Sequence, residues 1–152
     1  MGEVSPALQS MKNLKKIPPE VAALIPCSQL QVTKMYYKSF KEPIGRLEIA
    51  LRLCPKIGAT DGAKEHPAIF HYFYGGTDIY ICEYDGEDLL FGYTILNGDL
   101  HNAEWGLHLS EITRLPQFNI DYHFAMQTIE AALYKASAII HSSLLIFINL
   151  PR

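Results

Sequence analysis

Three runs rich in β-branched and aromatic residues, "AIFHYFY" (68–74), "DIYICEY" (78–84) and "LLFGYTIL" (89–96), are parted only by "GGT" and "DGED". No other feature of the chain narrows its fold so far. Gly and Asp supply the backbone angles of tight turns, and strands joined by such short links run antiparallel. A meander is expected, with Tyr80, Cys82 and Tyr84 on one face of the middle strand and Ile79, Ile81 and Glu83 on the other. "LNGDLHN" reads as a further turn, "AEWGLHL" as a fourth strand, "SEITRLPQF" as a short helix or turn and "NIDYHF" as a brief extended segment.

The flanks read as mostly helical. Ser5 and Pro6 suit an N-cap and a first helical position, opening a helix over Ser5 to Lys16 with Leu8, Met11 and Leu14 as an apolar stripe. "IPPE" ends it, and "PEVAALI" is a short helical turn before Pro26. Residues 30–40 fit a strand or a helix almost equally well. Residues 44–53 alternate at Leu47, Ile49, Leu51 and Leu53, which favours a half-buried strand. Residues 55–66 read as a loop. From Ala125 to about Ile140 a helix is expected, with Met126, Ile129, Leu133 and Ala136 at helical spacing. The charge-free run from Ala136 to Pro151 is 16 residues long, short of the about 20 that a membrane span needs. A buried last strand or a homo-oligomer contact is expected there. The fold class expected is α+β: an antiparallel meander sheet of four or more strands, with helices at both ends packed on one face. At 152 residues one domain is expected, 1–152, with 136–152 as its apolar tail.

Charge is unevenly laid out. Residues 1–64 carry ten Lys or Arg against five acids, whereas 65–113 carry nine acids and no Lys or Arg. Nucleic-acid affinity rests on cations that neutralise phosphates, so 65–113 is not expected to bind nucleic acid. Its carboxylates suit a basic protein partner, with Asp85, Glu87, Asp88, Asp99 and Glu104 as the binding candidates. "KMYYKSFK" (34–41) interleaves three Lys with three aromatics and is where a nucleic acid would bind if any segment took one. Cys27, Cys54 and Cys82 are scattered, with no CxxC pair, which fits a reducing compartment. The opening residues hold no apolar signal-like run, and a cytoplasmic protein without a membrane span is expected.

Chemistry-bearing residues are present without a recognised motif. No GxSxG, GxGxxG, GxxxxGK[ST] or HExxH occurs, and no pattern calls for a cofactor or a resident metal. If the chain is an enzyme, the candidates are Glu83, Asp85, Glu104, His108, Asp121 and His123, a carboxylate and histidine set of the kind that serves a metal-dependent hydrolase or nuclease. Within "NAEWGLHLSEI" (102–112), His108 and Glu111 are three apart across a helix start, as a capping pair would be, leaving Glu104 unexplained.

Several stretches resemble an uncharacterised family of small proteins carried by plasmids, phages and other mobile elements. "MKNLKKIPP" resembles its opening helix, and "AIFHYFY", "DIYICEYDGEDLLFGYTI", "EWGLHLSEI" and "NIDYHF" resemble its strands and its closing segment. The resemblance covers residues 11–17 and 66–124. Residues 20–65 stand as an insertion, as does the tail after about 135, and "GLHLSEI" is one residue short. The resemblance implies accessory gene content near DNA-maintenance or antirestriction functions; it supplies a context and not a mechanism. A non-enzymatic accessory or interaction protein with an acidic surface is the leading expectation. The alternatives are the hydrolase or nuclease above and a structural oligomer built on the apolar tail.

Overall fold

The computed structural model describes residues 2–9 and 16–148; of residues 102–104, 108 and 139–148 the backbone alone is described. Residues 6–9 are helical, and the Ser5 hydroxyl accepts the Leu8 amide at 3.3 Å, as the N-cap reading expects. Met11 and Leu14 of the expected stripe lie outside the described residues. Three helices follow: α1 (Pro19–Ala22), α2 (Cys27–Met35) and α3 (Tyr37–Leu53). Residues 30–40 therefore resolve as helix, with a break at Tyr36.

The strand expected over 44–53 is instead the body of α3. Ile44, Leu47 and Ala50, three apart, are its buried residues, whereas Ile49 and Leu53 are 54% and 60% exposed. Leu and Ile fall here at both the two-residue and the three-residue period, so apolar spacing alone cannot choose. The charges can. Glu42–Arg46 (3.9 Å) and Glu48–Arg52 (2.7 Å) are (i, i+4) pairs that meet only on a helix, with the acid N-terminal as the helix prefers.

The meander forms as expected. Strands β1 (Pro67–Ala68), β2 (Phe70–Tyr74), β3 (Thr77–Tyr84), β4 (Leu89–Leu96) and β5 (Asp99–His108) precede helix α4 (Leu109–Thr113) and strands β6 (Asn119–Ile120) and β7 (Gln127–Thr128). One sheet is five-stranded, ordered β5-β4-β3-β2-β6, and β1 pairs with β7 beside it. Asn97 and Gly98, both with positive φ, make the β4–β5 turn.

A bulge on β3 changes the expected facing. Ile81 pairs with Gly92 and Glu83 with Phe91, leaving Cys82 as the extra residue. Tyr84 therefore joins Ile79 and Ile81 in one core cluster, while Tyr80 and Cys82 lie in another. Gly92 is required at this point: a Cβ there would stand 2.3 Å from the Tyr80 carbonyl oxygen.

Each face of the sheet has its own cover. Ile17, Val21, Leu24, Ile25, Ile44 and Leu47 pack with Phe70, Tyr72, Ile79 and Ile81. On the opposite face Ala68, Tyr80, Cys82 and Ile95 pack with Ile129 and Ala132 of the last helix, α5 (Ile129–Ile148). The α+β class and the helices at both ends stand as expected, but the two sets meet residues of opposite parity on β3 rather than sharing one face. Helix α5 begins four residues after Ala125 because Gln127 and Thr128 pair with Ala68 and Pro67. The last strand expected in the tail is instead a continuation of α5: no Gly or Pro interrupts residues 129–148, and the helix runs through Ile148. Among the described residues no helix is long and apolar enough to cross a membrane.

Strand β6 opens a strap, residues 119–126, that runs from the β2 edge of the sheet to β7, with Ile120 and Tyr122 in the core under α1–α3 and Phe124 against the opposite cluster. Ile120 pairs with Tyr72, so its amide and carbonyl point away from β2. Both are taken by one side chain: Gln29 of α2 accepts the Ile120 amide at 2.8 Å and donates to its carbonyl at 2.9 Å.

Candidate functional site

The candidate carboxylates fall into separate local networks. Glu83 is 1% exposed and clamps the 58–60 loop: Oε2 accepts the Gly58 amide at 2.6 Å, and Oε1 accepts the Thr60 amide at 2.9 Å and the Thr60 hydroxyl. Burial pushes its carboxyl up, but the Thr60 hydroxyl, the two amides and nearby His66 outweigh that and hold it below its ordinary value.

Asp85 and Asp88 build the β3–β4 turn. Asp85 Oδ1 accepts the amides of Glu87, Asp88 and Leu89 at 2.7–3.1 Å. Asp88 reaches the start of α4, accepting the Ser110 amide at 2.8 Å and its hydroxyl at 3.1 Å. That bond brings Glu111 to the same corner of the sheet as Asp85 and Glu87. Asp99 accepts the His101 amide at 3.0 Å in the following turn. Glu104 pairs with Thr94 and His108 with Leu89 through the backbone; their side chains lie outside the described residues.

The third network joins residues from three elements. His71 Nε2 meets Asp78 Oδ1 at 2.7 Å, and Nδ1 meets Asp121 Oδ2 at 3.2 Å. The ring stacks on Tyr80 (4.7 Å, 10°) and lies against Phe73 and Phe124. Burial pushes the Tyr80 hydroxyl up to about 12, with Asp78 and Asp121 adding to it, so it is not a proton donor or acceptor near neutrality. His123 is exposed and enters only through its amide, which donates to Asp121 Oδ1 at 2.9 Å. Among the described residues no hydroxyl or thiol is hydrogen-bonded to His71, and none of the His, Cys, Asp and Glu side chains form a group of three or more placed to hold a metal ion. The His71 set is a strut that ties the strap to β2 and β3.

Asp78 was not among the enzyme candidates, although its signal was present. A two-residue Gly75-Gly76 loop sets Tyr74 opposite Thr77 and His71 opposite Tyr80, which puts Asp78 diagonally across from His71 on one face. Nothing local announces Asp121, which arrives through the β2–β6 pairing.

Cys82 is buried, and burial pushes the Cys54 and Cys82 thiols up to about 12 and 11, so neither is an activated nucleophile. In "KMYYKSFK", Tyr37 and Phe40 pack against the core and only Tyr36 is well exposed, so the three aromatics do not make a stacking platform. Comparison of the chain with protein-family models, curated proteins and solved structures finds no match in any of the three.

Proposed function

We propose that this chain is a non-enzymatic interaction protein of the cytoplasm that presents the acidic surface of 65–113 to a basic partner. The resemblance to mobile-element proteins makes accessory gene content its setting. The observation that carries the reading is the corner built by Asp85, Glu87, Asp88 and Glu111, gathered by the bonds from Asp88 to Ser110. Its field reaches Tyr84, whose hydroxyl is pushed up first by burial and then by Asp85, Asp88, Cys54 and Glu87. Lys56, from outside the segment, approaches the turn at Gly86. The hydrolase or nuclease alternative asks its carboxylates to converge. Glu83, Asp85 and Asp121 each serve a different set of hydrogen bonds, so the interaction reading is favoured.

The test is capture of the protein by an immobilised Lys- and Arg-rich peptide. Binding is expected at low salt and should fade as salt rises past the physiological range, where the Debye length is about 8 Å. The Asp85→Asn, Glu87→Gln double variant should bind more weakly. Capture that ignores both salt and the double variant would overturn the reading.

A further inference from the structure

A cavity of about 320 Å³ opens between α3 and the strap. Its floor is the core itself, with Leu47, Ala50, Ile69, Phe70 and Ile120, and exposed Ile49 and Met126 stand at its mouth. The strap forms the opposite wall, and its fastenings lie elsewhere: Gln29 holds Ile120, Thr33 holds the Tyr122 hydroxyl at 2.7 Å, and His71 holds Asp121. Among the described residues no hydrogen bond crosses from the strap to α3; the Phe40–Tyr122 ring contact at 5.5 Å is an apolar link between them. The wall is thus held in place without the gap being filled. An apolar hollow of this size, with few polar groups on its rim, is at the small end of small-molecule sites, which run from about 300 to 1,000 Å³.

The rim decides the kind of ligand. Two charged side chains line the cavity, Arg46 and Asp121. Both oxygens of Asp121 are engaged, one by the His71 ring and one by the His123 amide. Arg46 has only a 3.9 Å approach to the exposed Glu42, beyond hydrogen-bonding distance. Its guanidinium fork therefore offers donors to an incoming carboxylate, whereas Asp121 is committed to holding the strap to His71. We propose that the cavity binds a small monocarboxylic acid, with its apolar body against Leu47, Phe70 and Ile120 and its carboxylate on Arg46. The proposal is independent of the acidic corner, none of whose residues lines the cavity.

The test uses decanoate, with decanol as the uncharged control, read by calorimetry and by the methyl NMR signals of Ile69 and Ile120. Decanoate should shift those methyls and bind about tenfold more tightly than decanol. Arg46→Gln, at an exposed position, should remove that preference, so that decanoate no longer binds more tightly than decanol. Ile49→Trp at the mouth should weaken both ligands. Decanoate that leaves the Ile69 and Ile120 methyls unmoved, or a preference that survives Arg46→Gln, overturns the proposal.

Discussion

Glu83 and Asp85 are two residues apart in one acidic run, yet their surroundings are opposite. Glu83 is sealed from water and takes three hydrogen bonds from a loop more than twenty residues earlier in the chain. Asp85 is exposed and spends its oxygen on the turn that it begins. The bulge at Cys82 makes the difference. An unbroken alternation would set Glu83 beside Ile79 and Ile81 under the helices and turn Tyr84 away. A run of like charges is therefore not one surface: one member holds the fold, and its neighbours are left to face solvent.

The sharpest way to break this contrast is at the bulge. Gly92→Ala forces a Cβ into the Tyr80 carbonyl and should cost about 4 kcal/mol or prevent folding. A urea midpoint unchanged from wild type would mean that the register is not what places Glu83. Glu83→Ala should cost about 3 kcal/mol, because it strands the buried Thr60 amide and hydroxyl and takes away the partner of the Gly58 amide.

The pH dependence sharpens the same point. Glu83 has a folded carboxyl held below the ordinary 4.5, so its stabilisation is complete above that value and is lost as pH falls through the folded one. Urea midpoints measured down the acid range should fall more steeply for wild type than for Glu83→Gln; parallel curves would refute the assignment. Asp88→Ala removes a cap and should cost about 1 kcal/mol by the same urea measurement. At the small end, Glu87→Gln should leave stability unchanged and lower only capture by the basic peptide.

The meander was legible because Gly-Gly, Asp-Gly and Asn-Gly turns part strand-rich runs, and the diagonal from His71 to Asp78 follows from the first of those turns. Segment 44–53 misled because its apolar residues satisfy two periods at once; its Glu–Arg spacing held the answer. Ile17, Val21, Leu24 and Ile25 are among the most buried side chains, but Pro18 and Pro19 interrupt that stretch and Pro26 ends it, leaving it too short to show a period. The bulge could not be foreseen, since one extra residue on β3 follows from its fit to β4 and not from either strand alone. The cavity was invisible for a similar reason: its walls come from α3, from residues 69–70 and from the strap.

Gln29 has a consequence for how this protein behaves among its own copies. A sheet border with bare amides and carbonyls is a template on which a second chain can lay a strand. At Ile120 that template is already occupied, because one side-chain amide imitates the peptide group of an absent neighbour. The opposite border, β5, is guarded differently, by the two shifts in its register with β4. On the short β6 border a single glutamine thus fills the place that a neighbouring strand would take.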